Sequence, residues 1–357
     1  MKKLNLAIIG QGRSGRDIHG KYYLSESNAY YTVRYVVELD AERRAEARKR
    51  YAGCEALACY QELFGKKDVD LVVNATYSDT HYSITKDLLQ HGFNVLVEKP
   101  FARNQYECED LIRTAKENNA VLAVFQQTFY APYYIKAKEI IDSGILGDLV
   151  QVNVNFSGLS RRWDWQTLQK RLGGNAYNTG PHPIGIAYGL LDFDKGIKVV
   201  YSGLKHTEMY SGDAEDYVKL LIKTQNGPLV DVELSETDAF CDYNLKIQGS
   251  KGTYKSTVGK AEMVYIKDGE NPPREIVFES MKNEKGEPMY CREELKTHTE
   301  EIVFNGTAFD KGTAGLYEDL YYKITEGRKM YIEPENIVMV VGAIEKLHAD
   351  NPLPLQD

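Results

Sequence analysis

The sequence has little that would tie it to a membrane, a nucleic acid or an oxidising compartment. No apolar run approaches the roughly 20 residues that a membrane-spanning helix needs. Leu4 to Ile9 is interrupted by Asn5 and runs directly into Gly10-Gln11-Gly12-Arg13. Although Met1-Lys2-Lys3 precedes it, the stretch is too short for the core of a signal peptide and reads as a β-strand. No basic block is long enough to track a phosphate backbone, and 44 Lys and Arg against 52 Asp and Glu leave a net charge of −8, so nucleic acid is disfavoured as a partner. The five cysteines (Cys54, Cys59, Cys108, Cys241, Cys291) form an odd set without CxxC spacing. A disulfide framework, a zinc site and a cysteine nucleophile are therefore poor readings, and reduced thiols in the cytoplasm are expected. Internal repeats and low-complexity segments are absent as well.

What is there, 357 residues of which 43% are hydrophobic and 27% charged, describes a soluble globular chain of about two domains. The first third alternates apolar runs (Leu4 to Ile9, Val33 to Val37, Val69 to Ala75, Phe93 to Val97, Ala120 to Phe125) with charged, helix-like segments (Ala41 to Tyr51, Thr80 to His91, Gln105 to Asn118). Continuous apolar runs suit parallel strands covered on both faces, and the strand-helix rhythm predicts a doubly wound α/β sheet. After Gly147 the pattern turns to period-two alternation, as in Leu149 to Phe156, Val218 to Ile222 and Leu229 to Leu234, which predicts a mostly antiparallel second sheet. A Gly-rich stretch opening a helix over Gly173 to Leu191 interrupts it. Asp268 to Glu287 reads as a polar loop, and Ala314 to His348 as helix broken near Glu333-Pro334. The domain boundary is expected near residues 120 to 150.

Gly10-Gln11-Gly12-Arg13-Ser14-Gly15 follows the first predicted strand and opens a predicted helix, the setting in which GxGxxG can hold a pyrophosphate. Gly10 permits the tight turn, Gly12 lets the backbone approach the anion, and Gly15 lets helix and strand pack closely. The helix N-terminus, with Arg13 and Ser14, then faces the phosphates. Glycine clusters also make plain turns, so the motif gains weight from Glu38 at the end of the second apolar run. A carboxylate there accepts hydrogen bonds from both ribose hydroxyls and repels a 2′-phosphate, which favours NAD over NADP. Asp40 competes for that role, and Arg43 would accommodate the 2′-phosphate.

Ligands on such sheets sit at the carboxyl ends of the strands. Thr76, Tyr77 and His81 follow the third run, and Glu98, Lys99 and Pro100 the fourth. All are assigned to the cofactor rim, with His81 toward the nicotinamide. Taken alone, Lys99 reads as a solvated surface lysine. Beside a nicotinamide it would orient, or share the proton of, a substrate hydroxyl.

The strand, Glu98-Lys99-Pro100 and helix that come well after GxGxxG resemble the glucose-fructose oxidoreductase and inositol dehydrogenase family, often called Gfo/Idh/MocA. The resemblance covers nearly the whole chain. It includes Ala137 to Gly147, the segment from Gly173 through Asn178 and Gly180 to His182, and Tyr317 to Tyr321 with Glu326-Gly327. It implies an N-terminal Rossmann domain (1–125) and a C-terminal α/β domain (126–357) on a large open sheet, with C-terminal helices packing back on the first domain. The implied activity is NAD(P)-linked oxidation of a sugar or cyclitol hydroxyl. By motif match Lys99 is the active-site lysine, and His182 takes the place of the catalytic histidine. The family's usual pattern there begins with aspartate, so Asn178 is a departure: an amide cannot stabilise a protonated His182 by charge, yet it still hydrogen-bonds substrate or imidazole. From its chemistry alone His182 fits a general base or a helix-start histidine packed at a domain interface.

Arg161-Arg162-Trp163-Asp164-Trp165 holds both tryptophans. An indole face suits the apolar side of a pyranose or cyclitol and Arg162 its hydroxyls, which makes Trp165 the expected pocket wall; packing at the domain junction is the competing reading. Gln127-Thr128-Phe129-Tyr130 stands where related proteins often carry Asn-x-Arg. Gln127 is assigned to the cofactor and Tyr130 to the substrate, and this neutral floor disfavours acidic sugars. His19, His91, His206, His298 and His348 are given no catalytic part, and no metal-ligand constellation is found. The expected protein is a cytoplasmic NAD-dependent sugar or inositol dehydrogenase, a homodimer or homotetramer joined through the open sheet face. A redox-neutral glycosidase or lyase working through a keto-sugar, and a non-catalytic sugar or NAD sensor, are the alternatives.

Overall fold

A computed structural model describes residues 2–355. Six parallel strands, β1 (Leu4–Ile9), β2 (Tyr31–Val37), β3 (Glu55–Leu57), β4 (Leu71–Asn74), β5 (Val95–Val97) and β6 (Leu122–Val124), lie in the order β3-β2-β1-β4-β5-β6. In this order the winding reverses between β1 and β4, which opens a crevice at their carboxyl ends. Ile8, Val36, Val72, Val73, Val95 and Leu96 are shut off from solvent, as parallel strands covered on both faces require. Register then positions the site. Ile9 pairs with Val37 and Asn74, Asn74 with Val97, and Val97 with Val124. The residues that follow, Gly10, Glu38, Ala75, Glu98 and Phe125, therefore emerge along one edge.

The second sheet is mixed. Its strands are β7 (Leu149–Asn155), β8 (Lys198–Lys205), β9 (Tyr217–Lys223), β10 (Leu229–Ser235), β11 (Leu245–Gly249), β12 (Gly252–Ser256), β13 (Lys260–Tyr265) and, after a small hairpin of β14 (Met281–Lys282) and β15 (Pro288–Met289), β16 (His298–Val303). They run in the order β16-β13-β12-β11-β7-β10-β9-β8, with β7 and β10 parallel and the other pairs antiparallel. Alternation buries Val152, Val154, Leu220, Ile222, Val230 and Val232 against Ile184 and Ile186 of helix Pro181–Leu190 and Val340 and Ile344 of helix Pro334–Asp350. The opposite face is polar: Lys219 lies 2.7 Å from both Asp231 and Glu233, and Lys255 lies 2.9 Å from Glu262. Helix Thr313–Glu326 crosses back to the first sheet, where Leu316, Tyr317, Leu320 and Tyr321 share an apolar cluster with Leu6, Ile8 and Val36. No helix among the described residues is long and apolar enough to cross a membrane.

Three segments differ from the sequence expectation. The helix after the glycine turn begins as a wide π-turn over Ser14–His19, in which the Gly20 N–H reaches back to the Gly15 carbonyl. Gly173 to Leu191 forms two helices, Asn175–Asn178 and Pro181–Leu190, separated where the Gly180 N–H bonds the Asn175 carbonyl at 2.7 Å. A side chain on Gly180 would strike the Ala176 carbonyl. The polar stretch beyond Asp268 is an arm rather than a plain loop, tied at its base by Glu270 to His298 (2.6 Å) and Lys296 (2.8 Å) and carrying the β14-β15 hairpin.

Candidate active site

The three glycines of the first turn are needed for different reasons. Gly10 has φ +94°, and a Cβ there would meet the Ala75 carbonyl oxygen at 2.5 Å; a Cβ on Gly15 would strike the Gly10 carbonyl. Around Gly12 nothing among the described residues lies within 4 Å of an added Cβ, so its backbone faces open space. Glu38 is buried beside this turn, its carboxylate accepting the N–H of Gln11 at 2.7 Å and of Asp40 at 3.0 Å. Asp40 caps the next helix by accepting the Arg43 N–H at 2.9 Å. Arg44, which the sequence reading passes over, donates to the carbonyls of Glu38 (2.6 Å) and Leu39 (2.7 Å).

At the end of β4, the Thr76 hydroxyl donates to Asn74 Oδ1 at 2.7 Å. Tyr77 stands exposed, its ring edge-on to Trp165 with centroids 4.9 Å apart. Arg171 lies over the same ring and pairs with Asp79 at 2.9 Å. His81 is buried with Nδ1 2.8 Å from the Pro100 carbonyl and Nε2 3.3 Å from that of Thr76, so it ties two rim loops together. Burial lowers its pKa and favours the neutral ring.

Glu98 is buried at the end of β5, where its carboxylate accepts from the Ser14 hydroxyl, faces His19 Nε2 at 3.1 Å and accepts the Lys99 N–H at 3.0 Å. Burial opposes its ionisation, but the His19 hydrogen bond and charge, the Lys99 cation and the Ser14 hydroxyl outweigh it and hold the carboxyl at about 2. His19 continues to the Tyr317 hydroxyl at 2.7 Å, so a histidine given no catalytic part helps to fix the rim. Lys99 sends Nζ to the main-chain carbonyl of Asn178 at 2.6 Å. Burial lowers its pKa; Glu98 opposes the shift, and Arg162 and Arg13 add to it.

His182 is the second residue of its helix, whose first position is Pro181. Its Nδ1 lies 3.2 Å from Thr128 Oγ1, and burial together with the Lys99 cation pushes its pKa down to about 3. Behind it, Gln126 donates to the Pro181 carbonyl at 3.2 Å, while Gln127 has a buried Oε1 with no hydrogen-bond partner among the described residues. Asn178 Oδ1 accepts from Gln166 Nε2 at 2.7 Å, and Gln166 Oε1 accepts from Arg162. The structure thus gathers Lys99, Asn178, His182, Arg162, Arg13 and Thr128, with Trp165 at the seam.

Tyr130 is placed elsewhere. Its hydroxyl donates to Asp319 at 2.6 Å, and the residue lines a separate groove of about 670 Å³ with Asp319, Tyr322 and Tyr331. Gln166 and Thr128 are two further contact-making residues that the sequence leaves without a role. Among the described residues no group of three or more His, Cys, Asp and Glu could hold a metal ion.

A glycine turn on a parallel sheet, open at Gly12 and flanked by a buried carboxylate, with an unpartnered Gln127 oxygen beyond the last strand of the same sheet, fits a dinucleotide and marks a two-domain NAD(P)-binding oxidoreductase. The chain belongs to the Gfo/Idh/MocA family. Residues 4–126 match the model described as oxidoreductase family, NAD-binding Rossmann fold, and residues 134–255 match the GFO/IDH/MocA C-terminal domain. The inositol 2-dehydrogenase of Rhizobium meliloti (strain 1021) is 24% identical over 275 residues, 76% of this chain and 81% of that protein. The 2,7-anhydro-N-acetylneuraminate hydratase of Mediterraneibacter gnavus is 22% identical over 260 residues, 71% of this chain and 67% of that protein. A crystal structure of an NAD-binding protein from Listeria innocua superposes with a TM-score of 0.79 at 20% identity, covering 98% of each chain.

Proposed function

We propose that the protein is an NAD-dependent dehydrogenase that moves a hydride between a ring carbinol carbon of a sugar, glycoside or cyclitol and nicotinamide. The observation that carries this reading is the 2.6 Å bond from Lys99 Nζ to the Asn178 carbonyl, which brings the strand-end lysine to the segment bearing His182. The backbone of Gly10 to Gly15 with Arg13 would hold the pyrophosphate, Glu38 the ribose, and Thr76, Tyr77 and Gln127 the nicotinamide half. Glu38 favours NAD over NADP, since its carboxylate repels a 2′-phosphate. When bound, the nicotinamide accepts or returns the hydride.

The chain's own residues handle the proton. In the neutral tautomer whose Nδ1–H donates to Thr128, His182 keeps a lone pair on Nε2 and takes the hydroxyl proton as the hydride leaves. Lys99 donates to the same oxygen and stabilises the negative charge that grows on it. Asn178, in place of aspartate, supplies hydrogen bonds without charge.

A redox-neutral reaction is the second reading, favoured by the hydratase relative. Absorbance of NADH separates the two when nucleotide-free protein receives NAD and a panel of inositols, hexoses and glucosides. A steady rise supports the dehydrogenase; altered sugars by mass spectrometry without any rise support the alternative. The polar face of the second sheet is proposed as the interface of a homodimer or homotetramer, and light scattering that finds only monomer at micromolar concentration contradicts it.

A further inference from the structure

An amide side chain has one donating and one accepting end, and neighbours that can play a single role tell them apart. Such neighbours stand beside Lys99. Arg162, a guanidinium with donors only, sends Nε to Asp164 Oδ2 at 2.8 Å and Nη2 to Gln166 Oε1. The other end of Gln166, Nε2, donates to Asn178 Oδ1 at 2.7 Å. Reversing the relay would set the Gln166 NH2 against the guanidinium, donor on donor, so the arginine fixes the orientation of both amides.

Asn178 Nδ2 is thereby left with two N–H groups and no hydrogen-bond partner among the described residues. Lys99 Nζ, held by the Asn178 carbonyl, adds a cationic donor. Glu98 faces Ser14 and His19 and accepts the Lys99 main-chain N–H, so it offsets part of the lysine's charge, while the Arg162 and Arg13 cations add to the positive side; Asp79 pairs with Arg171 through Oδ2. A sugar hydroxyl is donor and acceptor at once, so an aspartate or an asparagine serves it equally. A carboxylate only accepts, and its charge meets the lysine; an aspartate at this position would repel it.

We propose that this chain selects a carboxylate-bearing sugar or cyclitol, whose acid group accepts from Asn178 Nδ2 while its reacting carbinol lies between Lys99 and His182. The inference rests on the dehydrogenase reading above. The neutral floor expected from Gln127 to Tyr130 is not the wall that matters for charge; the Arg162-Gln166-Asn178 relay is, with Gln166 as a positioning residue.

The test is kcat/KM with NAD for pairs differing only in the acid group: glucuronate against glucose, galacturonate against galactose, methyl glucuronide against methyl glucoside. The acid member is expected to lead by about tenfold or more. Gln166→Glu then probes the relay without touching residue 178. A carboxylate at 166 accepts from both neighbours, so Asn178 must turn Nδ2 toward it and present Oδ1 to the substrate. The acid-to-neutral ratio is expected to fall about tenfold, mainly through KM, whereas a merely structural role would depress both substrates alike. Asn178→Asp should lower the same ratio and carries the test if Gln166→Glu fails to fold. A preference for the neutral sugars, or a ratio unmoved in the folded variants, overturns the inference. No NADH from any sugar, in protein that binds NAD, overturns the dehydrogenase reading itself.

Discussion

The Lys99 ammonium donates to the main-chain carbonyl of Asn178 at 2.6 Å, joining the end of the first sheet to a helix packed under the second. Because the acceptor is main chain, substitution at 178 leaves this bond in place and changes only what the amide shows the substrate. The same seam is closed by Tyr77 against Trp165 and by Asp79 against Arg171. Lysine and histidine are thus held from both sides of one junction.

Lys99→Ala and His182→Ala are each expected to retain NAD binding and to lower kcat by about 10²- to 10⁴-fold, the range for a lost acid-base group. Calorimetry with NAD and steady-state rates on the same preparations check this. Near-normal turnover in either variant contradicts the assignment.

The pH profile should lack the usual histidine inflection. His182, at about 3, stays neutral down to acid pH, so kcat/KM should not fall near the ordinary value of 6.5. Lys99, lowered chiefly by burial, should lose its proton below the ordinary lysine value, which brings the alkaline limb down in pH. Removing the cation with Lys99→Met leaves burial as the main force on His182, so residual activity should show an acid limb moved upward. An inflection near 6.5 in the unaltered enzyme contradicts this account.

Gly12→Ala is expected to fold normally and bind NAD less tightly, because its new methyl enters open space where the pyrophosphate would lie. Gly10→Ala combines φ +94° with an approach of 2.5 Å to the Ala75 carbonyl, and should cost about 1–3 kcal/mol of stability. Thermal melts and NADH fluorescence titrations distinguish them. Equal melting temperatures for the two variants would be the contrary result.

Glu215 is fully buried, accepts the Ala176 N–H at 2.9 Å and faces His348 Nε2 at 3.3 Å, linking the last helix to the helix that ends in Asn178. Burial lowers the His348 pKa, and the carboxylate more than reverses that, leaving it raised. With the folded value above the unfolded one, the pair's contribution is fully present below about 6.5 and fades as pH rises through the folded value. His348→Ala should therefore cost more stability on the acid side of neutrality than on the alkaline side. Urea melts at both conditions check this, and equal costs would contradict it.

Much of the first sheet is legible in the sequence, because strands covered on both faces must be continuous apolar runs and the glycine turn must follow one of them. β3 is not: it is a three-residue edge strand in which only Leu57 is buried, too short to carry a period. In β8 a register shift between Val199 and Tyr201 breaks the alternation that marks β9 and β10. Lys99 and His182 stand out by motif, but Gln166 matters only through a contact that folding creates. Proximity to Gln127 in the chain misplaces Tyr130, since the tight turn Gln127–Tyr130 directs its hydroxyl to Asp319. His19 sits inside the first helical segment with nothing in the sequence to connect it to Glu98 and Tyr317.

Hydride transfer at the junction of the two sheets is the central claim, and isotope transfer tests it most directly. Protein freed of nucleotide is incubated with NAD and ring-deuterated inositols, hexoses and uronates, and the nicotinamide is recovered for mass spectrometry. The account predicts NADH carrying one deuterium with at least one of these sugars, and its loss in Lys99→Ala and His182→Ala. Unlabelled nicotinamide throughout, with every deuterium still on the sugars, would contradict it.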